Sequence, residues 1–272
     1  MTVILRNPND SEIIHAIEYN SYECMKNMMN EYKDKFQNLK DIEYEESEEY
    51  FKVYSGIPFP MANGVINTKL TSEIAEKKIN QIITYFEDKN IPFAWVVGPS
   101  SEPKDLGELL ANKGFIPVQK APGMACNLKN LIYKTEPLVN LKIVKVKNFE
   151  MLKLWADVCI TAAEWPKELL LDLWLTISSP DNAFLAYYDG KPVATSYVFY
   201  GAGVAGIYNV GTLEDVRNKG IGTAISLAPL YQAKKLGYEI AILQSSEMGL
   251  NIYKKIGFKE YCKMETFIWS PS

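Results

Sequence analysis

Apolar and polar positions along 141–270 fall into runs of two periods, and the switches between them outline a fold. LKIVKVK predicts a strand, and FEMLKLWADVCITA and PKELLLDLWLTIS predict two helices from apolar residues at three- and four-residue spacing. AFLAYYDGKPVATSYVFYGAGVAGIYNVGTL reads as a three-stranded meander, turning at the DG of 189–190 and the GAG of 201–203. IGTAISLAPLYQAKKLG returns to helical spacing and stops at Gly237. A strand YEIAILQSS, a short helix MGLNIYKKIG and a last strand FKEYCKMETFIW follow. The order β-α-α-β-β-β-α-β-α-β describes a mixed sheet with helices packed on it, an α/β chain of the α+β kind.

The first half carries a fainter version of the same ending. TSEIAEKKINQIITYFEDKN predicts a helix, IPFAWVVGPS a strand, PKDLGELLANKG a helix and FIPVQKAPGMACNL a strand. ELLANKGF (108–115) aligns with NIYKKIGF (251–258), and IPFAWVV with YEIAILQ, which points to a tandem repeat of one fold. The proline and polar residues of LIYKTEPLVN (131–140) mark the boundary, giving domains 1–134 and 135–272. The copies differ where it matters. RNKGIGT (217–223) has no glycine-bearing counterpart between GVINTKL and TSEIAEKK, and Leu110 stands opposite Tyr253. The chemistry is expected in the second half.

At 272 residues, 47% hydrophobic and 23% charged, the chain suits two ordinary globular domains. A net charge of −4 argues against general nucleic-acid binding, which depends on neutralising phosphates. No apolar run reaches the roughly 20 residues of a membrane span, and the N-terminus shows no secretion signal. Cys24, Cys126, Cys159 and Cys262 lack metal-ligand spacing, so they read as reduced cytoplasmic thiols packed in cores, with no metal expected. The acidic run DIEYEESEEY (41–50) reads as a solvated face or loop, and the Trp of FAWVV (93–97) as core.

The glycines of RNKGIGT fall between a strand and a helix. The first amides of a helix lack internal partners and carry partial positive charge, and glycine lets an anion approach them closely. The P-loop spacing is absent, and GIGTAI supplies only two of the three glycines of a dinucleotide turn. What singles out this turn is its combination with Y-x-x-x-G-F about thirty residues on. Arg217, Gly220, Ile221, Gly222 and Thr223, with Asn251, Tyr253, Gly257 and Phe258, resemble the GNAT superfamily of N-acetyltransferases. The likeness covers about 135–270, and tandem arrangements with one silent half are known there. Two departures stand out: Glu214, where proline is frequent, and Pro229 inside the helix, which costs about 3 kcal/mol unless the helix kinks or breaks.

The resemblance implies two GNAT-like domains in tandem, the second holding acetyl-CoA. The amides of Arg217, Asn218, Lys219, Gly220, Ile221, Gly222 and Thr223 are expected to cradle its pyrophosphate. Thr212 and Leu213 are expected to pair with the pantetheine arm as with an added strand, and Asn251 to touch the cofactor. Lys219, Lys254 and Lys255 are alternatives for the outer phosphate. Tyr253 is expected to protonate the thiolate leaving group, which a phenol of ordinary pKa near 10 can do; otherwise it is a packed aromatic. Asn209 or Tyr208 positioning a water, Glu247 and Glu164 are candidate bases, and His15 is not. Glu164, Trp165, Asn209, Ser245 and Ser246 are candidates for the acceptor pocket. No cysteine is placed for a covalent intermediate. The implied activity is direct transfer of acetyl to an amine of a small molecule or protein. A non-catalytic CoA sensor, and an enzyme using a longer acyl-CoA, are the alternatives.

Overall fold

The computed structural model describes residues 3–35, 42–131 and 138–271, so the expected boundary at 134/135 lies outside the described residues. In chain order the elements are α1 (Asp10–Lys35), β1 (Glu43–Glu46), β2 (Phe51–Tyr54), β3 (Gly64–Ile66), α2 (Ser72–Asp88), β4 (Phe93–Val97), α3 (Leu106–Asn112), β5 (Ile116–Asn127), β6 (Leu141–Lys145), α4 (Phe149–Ala162), α5 (Lys167–Ile177), β7 (Ala183–Tyr188), β8 (Lys191–Gly201), β9 (Val204–Thr212), α6 (Ile221–Lys235), β10 (Ile240–Gln244), α7 (Leu250–Ile256) and β11 (Lys259–Trp269). From α4 to β11 this is the order read from periodicity.

The elements gather into two compact units that do not follow the two halves of the chain. The larger combines 1–32 with 123–261, and the smaller combines 33–122 with 262–272. In the larger, β6, β7, β8 and β9 are neighbours in antiparallel order. β10 joins β9 in parallel, and the Gly123–Asn127 part of β5 pairs antiparallel with β10. In the smaller, β1, β2 and β3 are antiparallel, β4 joins β3 in parallel, and the Glu265–Trp269 part of β11 pairs antiparallel with β4. Each unit therefore follows three antiparallel strands with a helix, a parallel strand and a short helix. Each is then completed by a strand from the other half of the sequence.

Local chemistry explains the turns. The two hairpins of the larger unit place Asp189 and Gly190, then Ala202 and Gly203, at positive φ, the two-residue geometry that suits a twisted ribbon. The strained Ala202 donates its N–H to the Glu23 carboxylate at 2.5 Å, which offsets its cost. The acidic run is in part strand: β1 is exposed along most of its length at the margin of the smaller unit, with Glu43 and Glu45 tied to Tyr85 and Tyr50. Charge at a sheet margin discourages pairing with other chains. Trp95 is fully buried, its indole N–H donating to Thr68 Oγ1 at 2.9 Å.

Pro229 does not break its helix. α6 runs unbroken from Ile221 to Lys235 with Pro229 buried in it. Proline removes the N–H that would serve the Ile225 carbonyl, and Ser196 on β8, itself fully buried, donates its hydroxyl there at 3.0 Å instead. Ser196→Ala strands that carbonyl and is expected to destabilise the protein by about 1–3 kcal/mol. Pro229→Ala restores a main-chain donor, so the double variant should recover much of the loss. Denaturant unfolding of both single variants and the pair checks this; strict additivity would rule the substitution of roles out.

Candidate functional site

The site begins where β9 and β10 part. They pair only through Ala205 with Ala241 and Gly206 with Ile242. Beyond that, β9 continues to Thr212 against β8, and β10 to Gln244 against β5. The parting coincides with a bulge: Tyr208 faces Tyr197 and Gly211 faces Thr195, so Asn209 and Val210 share the place opposite Ser196. Asn209 takes a left-handed φ of 50°, which asparagine tolerates, and its carbonyl accepts the hydroxyl of buried Thr195 at 2.9 Å. The result is a fork, walled by the ends of two strands and open toward the N-terminus of α6.

At that mouth the chain leaves β9 through a 3-10 turn over Glu214–Val216, with Arg217 N–H donating to the Glu214 carbonyl at 3.1 Å. Asn218 at φ 64° and Gly220 at φ 82° then swing the backbone into α6. The first helical amide with an internal partner is Ala224, which donates to Gly220 O at 3.1 Å. Among the described residues, the N–H groups of Asn218, Lys219, Gly220, Ile221, Gly222 and Thr223 have no hydrogen-bond acceptor, and no side chain caps the helix. Six successive unpaired donors at a helix start fit a multiply charged anion such as a diphosphate. The counterpart in the smaller unit, between β3 and α2, is less open: Lys69 N–H donates to Glu49 O at 2.7 Å and Leu70 N–H to Glu102 O at 3.0 Å, which leaves Thr71, Ser72 and Glu73 without an acceptor among the described residues. That contrast agrees with the absence of glycines there.

Arg217 turns its side chain away from the amides. Its Nε donates to Thr212 O at 3.1 Å and one terminal nitrogen to Ala162 O at 3.4 Å, with the Glu164 carboxylate 3.8 Å away. It thus ties the end of β9 to the end of α4. Leu213 already donates its N–H to Val193 O at 2.9 Å, and Thr212 O is engaged by Arg217, which leaves less backbone free for strand-like pairing than the sequence suggested. Glu164, at φ 57°, is exposed in the α4–α5 loop, and Trp165 stacks edge-on against Trp174 at 5.1 Å. Lys219 Nζ lies 5.2 Å from the ring centre of Tyr188, while Lys254, Lys255 and Asn251 are exposed on α7.

Tyr253 is 8% exposed, packed edge-on against Phe258 at 5.7 Å, in space that Gly249 leaves open by lacking a Cβ. Burial pushes its hydroxyl up to about 12, against a hydrogen bond with Ser226 that pulls the other way. Ser226, missed in the sequence, donates to Gly222 O at 2.7 Å. A Cβ built on Gly222 would lie 3.5 Å from both Ile252 and Thr212 Oγ1, so α7, the end of β9 and the start of α6 converge. Ser245 and Ser246 have local duties. Ser245 Oγ donates to Ser246 O at 2.7 Å, and Ser246 Oγ accepts from Gly249 N at 3.2 Å, starting α7. Glu247 is exposed and His15 stacks on Tyr19 at 5.3 Å. Tyr208 donates to Asn20 Oδ1 at 2.7 Å, and burial drives its hydroxyl far above the ordinary range.

Among the described residues no helix is long and apolar enough to cross a membrane, and no group of three His, Cys, Asp or Glu side chains is placed to hold a metal. Residues 179–260 match the family model described as an acetyltransferase (GNAT) domain. No curated protein matches the sequence. Among solved structures, a GCN5-related N-acetyltransferase from Kribbella flavida is similar at 17% identity over 94% of this chain and 96% of that one, with a TM-score of 0.70. One from Sphaerobacter thermophilus is similar at 14% identity over 97% and 94%, with a TM-score of 0.57. A tandem GNAT protein from the clavulanic acid biosynthesis pathway is similar at 12% identity over 82% and 79%, with a TM-score of 0.56. The matched segment, 179–260, spans the meander, the fork, the open amides and Tyr253, and with it this chain carries a GNAT acetyltransferase domain.

Proposed function

We propose that the protein is an acetyl-CoA-dependent N-acetyltransferase acting on a primary amine of a small molecule or protein. The observation that carries this reading is the row of unpaired amides from Asn218 to Thr223 at the mouth of the β9–β10 fork. Bound there, acetyl-CoA supplies a thioester, an acyl group already activated toward attack by an uncharged amine. The chain's part is to hold and to move one proton. Asn218 to Thr223 grip the diphosphate, and Thr212 lies beside the arm. Tyr253 keeps its proton at neutral pH and gives it to the departing sulfur. Arg217 acts by holding the walls, since its guanidinium faces Thr212, Ala162 and Glu164. Glu164, Trp165 and Asn209 border the side from which the amine enters; Ser245 and Ser246 shape the turn behind it.

The first half, 1–134, is read as a degenerate copy without a cofactor turn, supported by the matching order of β1–β2–β3–α2–β4–α3 and β7–β8–β9–α6–β10–α7 and by the occupied amides at Lys69 and Leu70. Cys24, Cys126, Cys159 and Cys262 form no disulfide among the described residues, which supports a reducing, cytoplasmic setting. Calorimetry with acetyl-CoA tests the reading. Saturable binding is expected, and its absence at millimolar cofactor ends the proposal. Tight binding with no acetylation across a broad amine panel would favour the CoA sensor instead.

A further inference from the structure

The backbone ladder between β9 and β10 ends at Gly206 and Ile242, yet the strands stay joined one step further on by side chains from α1. Gln244, the last residue of β10, donates Nε2 to Ser21 Oγ at 3.0 Å and to Ile17 O at 3.3 Å. Ser21 Oγ lies 3.4 Å from the hydroxyl of Tyr208 on β9. Tyr208 also donates to Asn20 Oδ1 at 2.7 Å, and Asn20, fully buried, donates Nδ2 to Gly201 O at 2.9 Å. The helix is seated deliberately close: a Cβ on Gly206 would fall 2.0 Å from Asn20 Oδ1, so only glycine admits this approach. Gln244, Ser21 and Tyr208 are all half-buried.

This bridge sits at the closed end of the fork, with the open amides at the other end. A donor anchored at 218–223 and lying along β9 from Thr212 toward Asn209 points its acyl end at Tyr208, Ser21 and Gln244. We infer that the Gln244–Ser21–Tyr208 bridge, supplied by the N-terminal helix α1, is the end wall of the acyl pocket and limits the donor to short acyl groups. The inference rests on the acyl-CoA reading of the turn and adds to it the specificity of that site. The wall is polar on its hydrogen-bonded side and tied at both ends, so a longer chain has to break the bridge or leave its anchor. A methylene that does not fit a pocket costs about tenfold or more in binding.

Calorimetry with acetyl-, butyryl- and hexanoyl-CoA, on the full chain and on Ser21→Ala and Gln244→Ala separately, tests this. The unsubstituted protein is expected to bind acetyl-CoA at least about tenfold more tightly than hexanoyl-CoA. In each variant that ratio should shrink to within about threefold, because removing the hydroxyl or the amide opens the end wall. Ser21→Ala deletes one atom from a half-buried position, and thermal unfolding of both variants checks that they remain folded. A ratio unchanged in both variants, or no discrimination in the unsubstituted protein, overturns the inference while leaving the cofactor reading in place. Failure of the unsubstituted protein to bind acetyl-CoA at all takes both away, and that case is recognised before any substitution is made.

Discussion

Gly222→Glu is expected to raise the dissociation constant for acetyl-CoA by at least about 100-fold while leaving the protein folded. A carboxylate about 4 Å from a phosphate costs on the order of 4 kcal/mol at intermediate dielectric, and about 1.4 kcal/mol is a factor of ten. The position itself tolerates a side chain. A Cβ there makes only ordinary contacts, 3.5 Å from Ile252 and Thr212, and the site lies in the first turn of a regular helix. Gly222→Ala is therefore the matched control. It should keep or raise the melting temperature, since alanine favours helix by up to about 1 kcal/mol, and weaken binding only in part. Gly220 offers no such control, because its φ of 82° strains any replacement. Wild-type affinity in Gly222→Glu would remove the turn from the binding site.

Tyr253→Phe should lower turnover by about 100- to 1000-fold, within the range for loss of a positioned proton donor, with acetyl-CoA affinity changed by less than about twofold. Phenylalanine keeps the ring against Phe258 and gives up only the hydroxyl near Ser226. The pH dependence follows from the same group. A donor must be protonated, and burial holds this hydroxyl up to about 12, so its protonated form persists through alkaline pH. No fall in rate belonging to Tyr253 is expected below pH of about 11; a descending limb nearer 9 that disappears in Tyr253→Phe would contradict the environment described for it. Full turnover in the variant would make the tyrosine a core residue and nothing more.

The glycine turn, the meander and the helices of 141–270 were legible because each rests on local chemistry. Left-handed positions at 189–190 and 202–203, apolar spacing in α4 and α5, and glycines at a strand exit are properties of neighbours in sequence. What escaped is long-range. Nothing in Pro229 reveals that Ser196, more than thirty residues earlier, serves the carbonyl it orphans. Ser245 and Ser246 look alike at a strand end, yet the Ser245 hydroxyl donates to Ser246 O and that of Ser246 meets the start of α7. α1 shows apolar spacing alone, and its place against β9 is announced only indirectly, by the glycine at 206. The strands that complete the two units were legible, but not their partners. β5 and β11 occupy matching places in the repeat, and a strand pattern does not say which of two similar units it joins.

That exchange has a consequence for synthesis. The larger unit needs residues 1–32 and 123–127 from early in the chain and α7 from near its end, and the smaller needs Glu265–Trp269 against a strand made some 170 residues before. Neither unit is complete until translation is almost finished, so a stalled ribosome carries two half-built cores. Such a chain should depend on holding factors as it emerges, and a cut within 132–137 should leave fragments that recover structure only by finding each other.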